Sequence, residues 1–221
     1  MANGTIAVSQ LEILTQSGTG IITVVPPTTN TNRTLTLPDA TTTVVGTDAT
    51  QTLTNKTLST GLVMGASATT SGTAVASTSG TSIDFTSIPS WVKQITVMFN
   101  GVSLSGTAYL AIQLGDSGGI ETSGYLGGAG NTGGGVVLNS TFFSLAPGSS
   151  AAATADGLYT ISLMNSSTNL WAISGTAYQS GYSMSLCGGT KPLSATLDRL
   201  RITTSNGTDT FDAGSINILY E

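Results

Sequence analysis

Apolar and hydroxyl-bearing residues alternate along much of the chain, most sharply after Ile83. Within 91–100, Trp91, Lys93, Ile95, Val97 and Phe99 fall on one side of an extended backbone. Val92, Gln94, Thr96, Met98 and Asn100 fall on the other. A period of two predicts a strand with one face in a core. Leu110, Ile112 and Leu114 repeat the pattern, following a start at Tyr109. Leu200 and Ile202 oppose Arg199 and Arg201, which predicts a sheet with one wet face. With 136–145, 158–164, 170–174, 178–187, 197–204 and 216–220, this makes about eight short strands. Asn206-Gly207 has the residues of a tight hairpin turn before Phe211. No window carries an apolar stripe at helical period. The pattern predicts an all-β fold, with an antiparallel sandwich or jelly roll over 83–221.

The earlier half reads differently. Residues 34–61 place Leu35 and Leu37 at period two, then Val44, Val45, Leu53 and Leu58, separated by Thr, Asp and Gly. Such short β-branched runs predict extended, β-rich structure. Both tryptophans, every tyrosine and every phenylalanine lie after Ser82. A segment without large aromatic side chains builds a poor core alone, so this half is expected to bury its small apolar residues against copies of itself. The expected organisation is a core-poor N-terminal segment over 1–64, a linker over 65–82 rich in Gly, Ala, Ser and Thr, and the β-sandwich over 83–221.

Composition sharpens the β reading. Only 8% of the 221 residues are charged, against 39% hydrophobic. That is too few charges to lace the surface of helices with ion pairs, and it suits sheets rich in Thr and Val. The net charge of −5 is spread thinly. With no basic cluster, nucleic acid is not an expected partner, and neither is an anionic membrane. The start MANGTIAVSQLEIL has neither a charged n-region nor a continuous apolar h-region, which argues against export. Cys187 is the single cysteine, so no internal disulfide forms, in keeping with assembly in a reducing cytoplasm. Six Asn-x-Ser/Thr triplets, at Asn3, Asn32, Asn55, Asn139, Asn165 and Asn206, follow from the abundance of Ser and Thr.

Two stretches imitate catalytic motifs. Gly115–Gly119 reads Gly-Asp-Ser-Gly-Gly, the surroundings of the nucleophile in chymotrypsin-like proteases. Ser117 there needs a base to take its proton. The chain has no histidine, and Lys56, Lys93 and Lys191 sit in no Ser-Lys pattern, so the stretch reads as a turn. Gly128–Gly133, GAGNTG, satisfies G-x-G-x-x-G but leads into strand sequence rather than a helix N-terminus. A glycosidase needs two carboxylates, one with a raised pKa. Asp116 and Glu121 are the candidates, with Asp84 or Asp156 as outside partners, although loop acids in a sandwich are usually solvated. Tyr125, Trp171, Tyr178 and Tyr182 are candidates for sugar stacking, with core the stronger expectation. No His or Cys cluster suits zinc, and no acidic loop of EF-hand spacing appears. No catalytic residue, cofactor or metal is assigned, and a single calcium held by loop oxygens stays open.

The phrase TLPDATTTVVGTDATQTLTNKTL (36–58) closely resembles a segment recurring in virion proteins of tailed bacteriophages, particularly fibre and head-decoration proteins. IDFTSIPSWVKQITVMFNG (83–101), continuing into LAIQLGDSGGIETSGY (110–125), is similar to phage proteins usually labelled tail fibres, as is the ending FDAGSINILYE (211–221). The resemblance implies a homotrimeric, non-enzymatic surface protein of the virion, assembled in the host bacterial cytoplasm. The N-terminal half would attach or intertwine, with Leu35, Leu37, Val44, Val45, Leu53 and Leu58 as trimer contacts. Some 80 residues of stem reach at most about 3.3 Å each. That is short for a long fibre, so a capsid decoration (cement) protein that docks on the major capsid protein is expected first. A short tail fibre or fibre tip that binds a host surface glycan or protein is the alternative. A polysaccharide-cleaving spike using Asp116 and Glu121 is the second.

Overall fold

The computed structural model describes residues 11–14, 21–24, 69–132, 134–146, 150–181 and 183–221. All regular structure among them is β. The chain divides into two units, 1–60 and 61–221. In the first, β1 (Leu11–Leu14) pairs antiparallel with β2 (Ile21–Val24), Leu11 opposite Val24 and Leu14 opposite Ile21. The expected trimer contacts Leu35, Leu37, Val44, Val45, Leu53 and Leu58 lie outside the described residues.

The second unit is a jelly-roll-like antiparallel β-sandwich, as the alternation predicts. Its larger, nine-stranded sheet has at its centre β6 (Gln94–Leu104), β12 (Ala155–Asn165), β13 (Leu170–Gln179) and β14 (Ser183–Pro192). Beyond β14 come β9 (Leu126–Asn131) and the edge strand β10 (Val136–Asn139). Beyond β6 comes β16 (Phe211–Tyr220), whose far side carries the two-residue strands β3 (Thr70–Ser71) and β4 (Val75–Ala76). The five-stranded sheet orders β11 (Phe143–Ala146), β7 (Leu110–Asp116), β15 (Arg199–Thr204) and β5 (Ser82–Phe85), with β8 (Gly119–Ile120) also on β7.

The core lies between these sheets. Ile95, Val97 and Phe99 of β6, Tyr159 and Ile161 of β12, and Ile216 and Ile218 of β16 are buried. They join one cluster with Ile112 and Leu114 of β7, Phe143 and Leu145 of β11, and Leu200 and Ile202 of β15. Each such side chain contributes about 1.5–3 kcal/mol by leaving water. Phe99 and Tyr159 meet edge to face, ring centres 5.9 Å apart. The Tyr159 hydroxyl donates to the Leu145 carbonyl at 2.9 Å, tying the two sheets and satisfying a buried phenol.

One line of irregularity bends the larger sheet. The β16 register against β6 shifts between Ala213 and Ser215, and that of β12 between Ala155 and Gly157. Gly101 and Gly214 there have φ of 61° and 91°, a region that suits glycine. A Cβ on Gly214 would lie 2.4 Å from the Gly101 carbonyl oxygen, so only glycine fits. Past this point Val102, Ser103 and Leu104 are buried in succession. The strand has left its alternating course to close one end of the core.

Several expectations need correction. Trp91 and Lys93 do not share the inner face of β6: the strand begins at Gln94, and Trp91 lies at a turn, exposed and 5.8 Å from the Tyr220 ring. The run 136–145 is two strands in different sheets, because the chain turns at 140–142. The run 178–187 spans the end of β13 and the start of β14, divided by a turn at Gly181, φ 77°. Asn206-Gly207 does form a turn, its Asn206 Oδ1 accepting from the Thr208 and Asp209 amides at 3.0 Å each. It is not a hairpin, because β15 and β16 belong to opposite sheets. Within the expected linker, β3 and β4 pair along β16, and the Ser77 hydroxyl donates to the Ala213 carbonyl. At Thr70–Ser71 and Val75–Ala76 these small residues form edge strand.

Candidate functional site

The protease-like stretch is a tight hairpin. β7 runs through Gly115 to Asp116, β8 returns from Gly119, and Ser117 and Gly118 form the loop, with Asp116 opposite Gly119 and Gly115 opposite Ile120. A Cβ on Gly115 would lie 2.3 Å from the Gly119 carbonyl oxygen, which explains glycine at that position. Ser117 is exposed at the tip, as the turn reading predicts. Asp116 is buried beneath it; its Oδ1 accepts the Gly118 amide at 2.8 Å and its Oδ2 the Ser194 hydroxyl at 2.6 Å.

The hairpin leads to Glu121, and the structure brings Asp116 and Glu121 together through Ser194. Glu121 Oε1 accepts the Ser194 amide at 2.7 Å. Glu121 Oε2 accepts a bond from Lys191 Nζ, which also donates to the Pro192 carbonyl. Lys191 comes from β14, is only 3% exposed, and sits 5.4 Å from the Tyr125 ring centre. Tyr125 is itself buried, its hydroxyl accepting from the Leu114 amide at 2.8 Å and donating to the Glu121 carbonyl at 2.9 Å. Burial pushes the Tyr125 phenol up.

These bonds fix the charge state of both acids. The Ser194 hydroxyl, helped by the Gly118 amide, holds Asp116 below the usual carboxylate range. Burial works against the ionised form of Glu121, but bonds from Lys191 and Ser194 outweigh it, and Glu121 too is lowered. General-acid catalysis asks for one raised carboxyl, and this pair has none. The proposed outside partners are engaged elsewhere. Asp84 takes a two-pronged bond from Arg201 at 2.7 Å on each prong, and Asp156 Oδ1 accepts the Gly101 amide at 2.7 Å. Asp116 is therefore a buried bracing group, not a solvated loop acid.

Lys191 is the residue that sequence reasoning missed. Its neighbours Lys191-Pro192-Leu193 match no motif, and Glu121 is 70 positions away. A signal was present: Ser185, Cys187, Gly189 and Lys191 share the parity of an inward face, and a lysine there must find a partner.

Tyr125 and Trp171 are core residues, Tyr178 is exposed on the outside of the larger sheet, and Tyr182 lies outside the described residues. Gly128 and Gly130 belong to β9, so the G-x-G-x-x-G pattern runs along a strand and into the β9–β10 turn. Three of the Asn-x-Ser/Thr triplets are turn devices: Asn139, Asn165 and Asn206 each accept the amide two residues ahead, at 2.9–3.0 Å. Among the described residues, no three His, Cys, Asp or Glu side chains converge as a metal site. No helix there is long and apolar enough to cross a membrane.

Two surface features remain. An open cleft of about 530 Å³ lies between residues 125–128 and 138–140, lined largely by apolar atoms. The outer face of the larger sheet carries Leu126, Val136, Leu138, Leu158, Met184 and Leu186 in the open. Comparisons with protein-family models, curated proteins and solved structures give no match to this chain.

Proposed function

We propose that the chain is a non-enzymatic structural protein of a phage particle: a homotrimeric capsid decoration protein that docks on the major capsid protein and projects residues 83–221 as a knob. The observation that carries this reading is the closed bonding of Asp116, Ser194, Glu121 and Lys191. The best candidate for chemistry on the chain is consumed in bracing a hairpin, which leaves surface rather than reaction as its means of action. The virion-like phrases at 36–58, 83–101 and 211–221 supply the setting. The mechanism is mechanical: each trimer bridges neighbouring shell subunits and resists internal DNA pressure.

The open cleft beside Tyr125 favours a second reading, a short tail fibre or fibre tip whose knob takes a host surface glycan. Quantitative mass spectrometry of purified virions separates the two. A copy number equal to that of the major capsid protein, or about half of it, is expected for a cement protein spread over a closed shell. A few copies in multiples of three place it on the tail, and absence from the particle ends both readings. On the polysaccharide-cleaving alternative, Asp116→Ala and Glu121→Ala abolish release of reducing sugar from host polysaccharide. With both acids held ionised, no such release is expected from the unaltered protein.

A further inference from the structure

We propose that copies of this chain meet through the outer face of the larger sheet; this rests on the homotrimer reading above. Antiparallel register aligns the outward side chains across it. One row runs Met98, Leu158, Thr176, Leu186, Gly130 and Val136 over β6, β12, β13, β14, β9 and β10. A neighbouring row runs Ser174, Gly188, Gly128 and Leu138. Tyr178 stands opposite Met184 on the other side of the first row. Leu138 is 78% exposed, Val136 72%, and Leu158, Tyr178 and Leu186 51% each. These side chains leave a polar sheet face unexplained: hydroxyls and amides were available to the sequence, and large apolar groups were placed there instead.

Three observations choose the occupant. The first is charge. On these strands the face holds one acid, Asp156, at its rim and already bonded to the Gly101 amide. A phosphate, an acidic glycan or a basic peptide finds no counter-charge there. A face that must meet its own copy in a chain of net charge −5 has to be neutral, since like charges would oppose each other across the contact. The second is size. Leu126, Val136, Leu138, Leu158, Tyr178, Met184 and Leu186 together expose on the order of 700 Å². A standard interface takes about 800 Å² from each partner. The third is relief. Outward Gly188 bares the backbone of β14, whereas the side chains of Leu138 and Val136 lie over Gly128 and Gly130. A Cβ on Gly188 would meet nothing closer than 4.0 Å. Ridges and a trough on one face let the same surface serve as both halves of a contact. Around a threefold axis, three such faces form the inner walls of a prism.

The test reads the face locally, in the full-length protein, so that a trimer held by another segment is not mistaken for it. Ser174→Cys places a thiol on the proposed contact, and Ser82→Cys places one on the smaller sheet. Each is treated with a short bis-maleimide, with light scattering giving the mass of the untreated protein. The expected result is an oligomer of the 22.2 kDa chain in which only Ser174→Cys yields covalent dimers, since one added thiol per chain links no more than two copies. Adding Leu138→Asp and Leu186→Asp should abolish that cross-linking while the circular dichroism and melting curve remain those of a folded sheet protein. An oligomer in which Ser174→Cys cross-links no better than Ser82→Cys overturns the interface and leaves the homotrimer standing. A monomer at every concentration overturns both. Cross-linking that persists in the doubly substituted, folded protein also overturns the interface.

Discussion

The two sheets turn opposite characters to the outside. On the five-stranded sheet, Arg201 and Asp84 form a two-pronged pair, Arg199 is held by its neighbour Asp198, and the Gln113 amide donates to the Thr141 carbonyl. On the nine-stranded sheet, Leu138, Val136 and Leu186 are exposed beside the uncovered backbone of Gly188. Both sheets bury the same kinds of residue inward, so the core does not demand this difference. Among the described residues the ion pairs sit on one outer face and in one buried corner, and the outward side of β6, β9, β10, β12, β13 and β14 carries only Asp156, bonded to the Gly101 amide. Where charge sits therefore separates three roles: dispensable solvation outside the smaller sheet, structural bracing at Lys191, and exclusion from the face we assign to self-association.

That division can be broken most forcefully in the buried corner. Lys191→Ala leaves the Glu121 carboxylate without its cation, and a loss of about 3 kcal/mol in urea unfolding is expected. The same substitution in a Glu121→Gln background should cost clearly less, because no stranded charge remains. Equal losses in the two backgrounds would show that packing of the lysine stem, not its charge, holds the corner.

Acid should give a smaller, graded loss. Asp116 and Glu121 are both lowered on folding from reference values of 3.8 and 4.5. The unfolded chain therefore binds more protons in that range. Their stabilisation is complete above the reference values and fades as pH falls through the lower folded ones. Urea midpoints from pH 7 to pH 2 should show this acid limb, and Asp116→Asn should flatten it. An unchanged limb would move the acid response to other carboxylates.

The smallest effect belongs to the wet face. Arg201→Gln breaks an exposed pair, and less than about 1 kcal/mol is expected, most of it removed by added salt. A loss as large as that of Lys191→Ala would erase the distinction between optional and structural charge.

The sequence displayed much of this where a rule has a period of two. Ile95, Val97 and Phe99 were legible as core, as were Leu110, Ile112 and Leu114, and the split of Leu200 and Ile202 from Arg199 and Arg201 is the one observed. Turns inside apolar runs were not legible. The residues of 136–145 satisfy strand propensity whether or not Asn139 bends the chain toward Thr141. Sheet membership was hidden as well: Asn206-Gly207 specifies a turn, but only three-dimensional packing decides that the chain crosses to the other sheet. The bracing network needed register. Asp116 and Glu121 are close in sequence, whereas Ser194 and Lys191 arrive through the pairing of other strands.

The position of β16 has a consequence in time. It lies against β6, and the Gln94 amide reaches the Glu221 carboxylate across 127 positions of chain. Every other described strand is synthesised before it. At roughly 5–20 residues per second, the interval between the start of β6 and its partner is about 6 to 25 s. Throughout it Ile95, Val97 and Phe99 have one flank of their sheet missing, and the closing step must join segments as far as 127 positions apart. The sandwich is thus expected to close late, most open to capture by chaperones, or by a neighbouring nascent copy, in the seconds before β16 is laid down.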